Sequence, residues 1–268
     1  MHRIATLSRL STALALIILV CPALAAERTP TLAAERINVA VAANFANTAR
    51  TLLTDFGDPR LNLVVGSSGK LFAQINNGAP FHVFLSADQE KPEALAADHQ
   101  NASGQAEIFT YALGGLLLWV RQDSEHQFTR LSRAAFDDLN LQRIALANPK
   151  VAPYGRAALE TLASLDAVQK TRRRWVQGEN ISQAFHFVAS GNADSGFIAA
   201  VQLAPGLTGS FYEVPAAWHQ PIRQDAILLR AGQQAPPAVA FYKYLKSEAA
   251  RAIILAQGYQ LPEPAEDA

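Results

Sequence analysis

Short aliphatic runs alternate with amphipathic stretches along this chain, and that alternation restricts its fold more than any other feature. Ile37-Asn38-Val39-Ala40-Val41-Ala42 reads as a strand, followed by a helical period through Leu52, Leu53 and Phe56. Leu61–Val65 and Leu71–Ile75 repeat the pairing, closed by Asn77-Gly78, and Phe81–Ser86 supplies a third strand. Further on, Tyr111–Val120, Arg143–Ala147, Ser195–Ala200 and Gln224–Leu229 read as strands. Helical spacing marks Ala157–Leu165, Ile181–Ala189 and a long stretch, Ala238–Gln257. Strands that each lead into a helix predict mainly parallel sheets flanked by helices. No repeat or long linker interrupts the pattern. Two α/β lobes of about a hundred residues each, with the chain crossing between them, satisfy it.

The chain has 268 residues, half of them hydrophobic and 17% charged, enough to bury full-sized cores. Its formal net charge is zero and both signs are mixed, which argues against a basic nucleic-acid face. Residues 1–26 form a separate pattern. Arg3 and Arg9 precede the apolar run Ser11–Val20, and Pro22-Ala23-Leu24-Ala25-Ala26 offers a small-residue cleavage site. This is the pattern of a secretory signal peptide, and the run is too short for a stable span. Cys21, the only cysteine, lies inside it, and its neighbours Val20 and Pro22 do not suit lipidation. The exported chain is then free of disulfide and thiolate chemistry. Residues 27–35 read as a flexible leader.

Four strand-to-helix junctions share one chemistry: Ala43-Asn44-Phe45, Gly66-Ser67-Ser68-Gly69, Pro153-Tyr154-Gly155 and Gly178-Glu179-Asn180-Ile181. In open α/β sheets, ligands sit beyond the carboxyl ends of the strands, where helices begin. Free N–H groups and the partial positive charge of a helix start favour an anion there without Lys or Arg. Any one junction alone is an ordinary helix cap. A nucleotide loop is a weaker reading still, because the Walker pattern needs glycine where this chain has Val64. His82, His99, His126, His186 and His219 are scattered, without zinc-ligand spacing. No Gly-x-Ser-x-Gly elbow occurs. Asp194, Glu179 and Asp225 are the available acid–base groups for an exported α/β hydrolase, but they form no pair in sequence. Asn101-Ala102-Ser103 matches a glycosylation sequon, Arg172-Arg173-Arg174 reads as a solvated helix face, and Trp175 as core packing.

Across Ile37 to about Leu261 the sequence resembles the periplasmic molybdate-binding proteins of bacterial ABC importers. The most specific block is Gly78-Ala79-Pro80-Phe81-His82-Val83-Phe84-Leu85-Ser86-Ala87-Asp88. Ala42–Phe45, Gly66–Leu71, Ala147–Gly155, Gly178–Ile181 and Phe241–Leu245 support it. The resemblance implies a two-lobed, type II periplasmic-binding-protein fold, each lobe a mixed, mostly parallel sheet flanked by helices. Lobe 1 would take residues 35–109 and 225–262, and lobe 2 residues 110–224. It implies a molybdate or tungstate oxyanion held by neutral donors, with no cofactor and no direct cation ligand. Asn44 and Ser68 would give side-chain and backbone donors, with Ala43 and Ser67 beside them. Tyr154 and Ile181 would give mainly backbone N–H groups. Better-known members carry serine at Asn44, alanine at Tyr154, and a tyrosine hydroxyl at the position of Ala199. Asn44 is the expected substitute for that hydroxyl. The implied setting is the periplasm, as a monomer that delivers its ligand to a membrane permease. Sulfate, phosphate or an organic anion is the alternative ligand, and the hydrolase the remote alternative.

Overall fold

The computed structural model describes residues 36–98, 107–122, 132, 136 and 142–263. The expected signal peptide with Cys21, the leader, the Asn101 sequon, His99 and His126 lie outside these residues. In chain order the strands are β1 Ile37–Ala42, β2 Leu61–Gly66, β3 Val83–Leu85, β4 Ile108–Gly114, β5 Leu116–Val120, β6 Ile144–Ala147, β7 Trp175–Gly178, β8 Ser195–Ala199, β9 Ser210–Glu213 and β10 Ile222–Leu228. The helices are α1 Ala46–Phe56, α2 Ser68–Asn76, α3 Glu90–Ala97, α4 Pro153–Ser164, α5 Val168–Thr171, α6 Ile181–Ala189, α7 Arg230–Gln233, α8 Pro236–Tyr244 and α9 Glu248–Ala256.

The strands form two five-stranded mixed sheets, ordered β2-β1-β3-β10-β4 and β7-β6-β8-β5-β9. In the first, β1 pairs parallel with β2 and β3, while β10 is antiparallel to β3 and β4. In the second, β6 pairs parallel with β7 and β8, and β5 is antiparallel to β8 and β9. Both sheets belong to one unit, Glu35–Ala268. The central strand β1 is covered on both faces, so it reads as a continuous apolar run rather than an alternating one. One face packs Val39 and Val41 with Leu52 of α1 and Phe241 of α8. The other packs Ala40 and Phe84 with Leu71 of α2 and Leu95 of α3. In the second sheet Leu118, Ile144, Leu146 and Phe197 share a core with Leu162 of α4 and Val188 of α6. Gly196 of β8 is needed there: a Cβ would fall 2.6 Å from Val188 and 2.8 Å from Ala145.

The run Tyr111–Val120, read as one strand, is two. The chain leaves the first sheet at Gly114 and enters the second at Leu116, so β4 and β5 pair with different partners. Tyr111, Ala112 and most of β5 are buried, so the apolar pattern runs across the crossing unbroken. The chain returns between Glu213 and Ile222, so the sheets divide at Gly115 and in that segment, away from 109 and 224. The long stretch Ala238–Gln257 is also two helices. Ser247 caps α9, its hydroxyl accepting from Ala250 N at 3.2 Å, and a cap ends what precedes it. Helix α3 and the short strands β7 and β9 carry too little apolar periodicity to be legible.

Phe241 is fully buried, with the ring of Phe56 5.4 Å away edge-on. Phe241→Ala should destabilise the protein by about 3–5 kcal/mol. Calorimetry should show this as a fall in Tm of about 6–20 °C.

Candidate functional site

The four junctions converge. Ala43 and Asn44 follow β1 in a 3₁₀ turn that leads into α1, and Ser67 and Ser68 join β2 to α2. Tyr154 lies in the first turn of α4, and Ile181 opens α6. All six line a single cavity of about 10 Å³, together with Ala42, Ala87, Ala152, Pro153 and Asn180. That volume admits the centre of about one water-sized sphere. Asn44, Ser67, Ser68, Tyr154 and Ile181 are each at most 7% exposed. The first N–H groups of a helix have no carbonyl in a preceding turn to bond. The 3₁₀ turn, α2 and α4 all begin without a side-chain cap; only Asn180 caps, accepting from Gln183 N at 3.0 Å.

Ser67 occupies the N-cap position of α2, yet its hydroxyl makes no cap bond, and its buried Oγ has no hydrogen-bond partner. Ser68 Oγ accepts from Ala87 N at 2.9 Å, which leaves its own hydrogen to be donated. Asn44 departs from the expectation. Its side-chain amide donates to Gln224 Oε1 at 2.7 Å and to the Tyr259 hydroxyl at 3.1 Å. Both amide hydrogens are bonded within the protein in this structure. Ala199 is fully buried at the end of β8, and its N–H donates to Gln202 Oε1 at 2.9 Å.

No cationic side chain lines the cavity. Burial raises the Tyr154, Tyr111 and Tyr259 hydroxyls above the ordinary tyrosine range, so they stay neutral. The cations stand outside, bridging the lobes. Lys70 Nζ lies 3.2 Å from Glu179, and Arg156 lies 2.7 Å from Glu90 and 3.2 Å from Asp88. The Arg156 hydrogen bond holds the Glu90 carboxyl below its ordinary range. Asp88 is also paired with Lys91. Gly69 N donates to Val151 O at 2.8 Å and Ser182 Oγ to Ala43 O at 3.1 Å, so the lobes touch on both sides of the cavity. Two larger grooves, of about 520 and 270 Å³, also lie where the lobes meet. The larger is lined by Asp88, Glu90, Glu93 and Glu160 against Arg156 and Arg223, which disfavours an anion, and the smaller by Glu90 with Lys91, Lys150 and Arg156.

The remaining candidates are dispersed. Asp194 accepts from Arg143 N at 2.8 Å, Asp225 from Thr110 Oγ1 at 2.7 Å, and Glu179 pairs with Lys70. His82 Nδ1 accepts from Asn38 N, His186 is exposed on α6, and His219 Nδ1 is 2.7 Å from Gln220 O. Arg172–Arg174 form a 3₁₀ turn, and Arg172 lies over the Trp175 ring, whose indole packs against the second core. Among the described residues no three His, Cys, Asp or Glu cluster as metal ligands. Gln224, Tyr111 and Tyr259 escaped the sequence reading. The adjacent polar pair Gln224-Asp225 opening an otherwise apolar strand was the one available signal.

Chemically, neutral donors meeting from two lobes suit a small, multiply charged species that only accepts hydrogen bonds. The sequence profile of the bacterial extracellular solute-binding proteins matches residues 37–260. The chain is 40% identical over 264 residues to the molybdate-binding protein ModA of Azotobacter vinelandii, covering 96% of this chain and 98% of that protein. It is 37% identical over 258 residues to the ModA of Rhodobacter capsulatus, covering 95% and 96%. The solved structure of the Azotobacter vinelandii periplasmic molybdate-binding protein superposes with a TM-score of 0.76 at 34% identity, covering 85% of this chain and all of that one. The two sheets and their helices therefore form the two-lobed periplasmic-binding-protein fold.

The Ser67 hydroxyl gives a test of the site without any ligand. A working N-cap replaced by alanine costs about 0.5–2 kcal/mol. Removing an unpaired buried hydroxyl lifts a penalty of about 1–3 kcal/mol. Ser67→Ala should therefore leave Tm unchanged or raise it, and a clear fall would restore the capping role.

Proposed function

The chain belongs to the bacterial extracellular solute-binding proteins, and we propose that its solute is molybdate or tungstate, held for delivery to the permease of an ABC importer. The observation that carries this reading is the convergence of six neutral residues from both lobes on one buried cavity. The named relatives agree with it. The molecule acts by capture and release, not by turnover, in the periplasm and as a monomer, with the oxyanion as its ligand and no cofactor.

The six residues are nearly inaccessible in this closed arrangement, so the anion enters only when the lobes part. Closure then wraps it in donors. Charge-assisted hydrogen bonds contribute about 1.5–3 kcal/mol each. Six or seven of them, less ordering and closure costs, reach the ~8 kcal/mol of a micromolar constant or better. Donors that are themselves uncharged leave no buried counter-ion behind when the lobes reopen, so release is not penalised. Sulfate is smaller and does not reach every donor, and protonated phosphate brings a hydrogen into a cage made of hydrogens.

The mature protein should be melted with molybdate, tungstate, sulfate and phosphate in turn. A ligand at a hundredfold excess over its dissociation constant adds about 2.7 kcal/mol, a rise of roughly 5–10 °C. Molybdate and tungstate should give that rise; sulfate or phosphate giving it instead would replace the proposed ligand. Gly69 supplies a sharper check of closure. A Cβ there would fall 2.8 Å from the Val151 backbone across the lobes. Gly69→Ala should leave the ligand-free Tm within about 2 °C, equivalent to about 1 kcal/mol or less. Its calorimetric affinity for molybdate should drop at least tenfold, or about 1.4 kcal/mol.

A further inference from the structure

We infer that Gln224 is a positioning residue of the oxyanion site, its amide setting the Asn44 turn of one lobe against the Tyr154 hydroxyl of the other. This rests on the function proposed above. Gln224 does not line the cavity, but Asn44 and Tyr154 do. It is fully buried near the start of β10, where the chain has just returned to the first sheet. The pairing of β10 with β4 shifts register between Gln224 and Asp225. Neighbours in a regular strand face opposite ways, and a bulge re-aims them. Here Asp225 turns to Thr110 while Gln224 turns to the site.

The two ends of the amide do different work. Oε1 accepts from Asn44 Nδ2 at 2.7 Å and lies 3.3 Å from the Tyr111 hydroxyl. Nε2 donates to the Tyr154 hydroxyl over a long 3.5 Å. Tyr154, having received a hydrogen, keeps its own to donate. On the other side Tyr259 donates its hydroxyl to the Asn44 carbonyl at 2.9 Å and accepts from the Asn44 amide. The Asn44 turn is thus held from two directions. Space for the meeting comes from Gly114, where a Cβ would lie 2.2 Å from the Tyr154 oxygen and 3.0 Å from Gln224 Nε2. A neutral amide meets this geometry without placing a charge beside an anion.

The test measures molybdate affinity by calorimetry for the wild type, Gln224→Met, Tyr154→Phe and the double variant. Gln224→Met keeps the length and removes both bonds; affinity should fall at least tenfold. The double variant should lose less than the product of the single losses, because both changes act on one hydroxyl. Gln224→Glu gives a second readout between pH 6 and 9. The titratable groups facing it are Tyr111 on β4, Tyr154 on α4 and Tyr259 after α9, with Asp225 beside it on β10. Burial keeps the tyrosines neutral over this range. Ionised, the introduced carboxyl loses the donor to Tyr154 and repels the anion; protonated, it regains a donor. Binding by Gln224→Glu should therefore strengthen as pH falls, while wild-type affinity stays flat. Affinity of Gln224→Met within twofold of wild type, full additivity, or a flat Gln224→Glu profile would overturn the inference. Where Gln224→Met does not fold, the pH profile decides. A wild type that binds no oxyanion overturns the proposed function and this inference together; a binding wild type matched by its variants overturns the inference alone.

Discussion

Helix starts that meet from both lobes without side-chain caps are the constraint around which this molecule is organised. A helix leaves its first N–H groups without carbonyl partners, and most helices borrow a nearby side chain or water. The turn before α1, helix α2 and helix α4 instead begin around one small cavity, with no side chain capping them. Buried unpaired donors are costly. The one unpaired buried side-chain group at these starts is the Ser67 hydroxyl, set in a lobe whose sheet is covered on both faces of β1.

The contacts that bridge the lobes fit such a division of labour. Lys70 and Glu179 are more than half exposed, and a pair of that kind contributes little. The Gly69–Val151 bond is a single backbone hydrogen bond, worth about 1 kcal/mol net. Contacts this modest leave closure open to being decided by the hydrogen bonds of the proposed ligand. Arg156 is the firmest strut, because Asp88, one of its two carboxylates, is largely buried.

Local chemistry was legible in the sequence wherever it was written by neighbours. Gly66-Ser67-Ser68-Gly69 and Pro153-Tyr154-Gly155 announced strand ends followed by helices, and α6 was read with its bounds intact. The crossing at Gly115 was hidden, because the apolar residues on either side form one continuous run. The break at Ser247 was hidden by matching amphipathic faces in α8 and α9. Asn44 was recognised but its side chain misjudged, since its partners Gln224 and Tyr259 lie 180 and 215 positions away. Ser67 and Ser68 look alike in sequence; only the position of Ala87 N separates a bonded hydroxyl from an orphan.

The proposed reliance on backbone N–H groups also bears on how such a site tolerates mutational drift. A codon change alters a side chain and leaves its amide hydrogen where the helix put it, unless the new residue is proline. At the proposed donor positions Ala43 and Ile181, side chains of similar volume would therefore leave the backbone donors in place. The vulnerable positions are those that space the chain, such as Gly69 and Gly114. The chemistry of recognition is thereby uncoupled from residue identity, and specificity is inherited as the shape of the main chain.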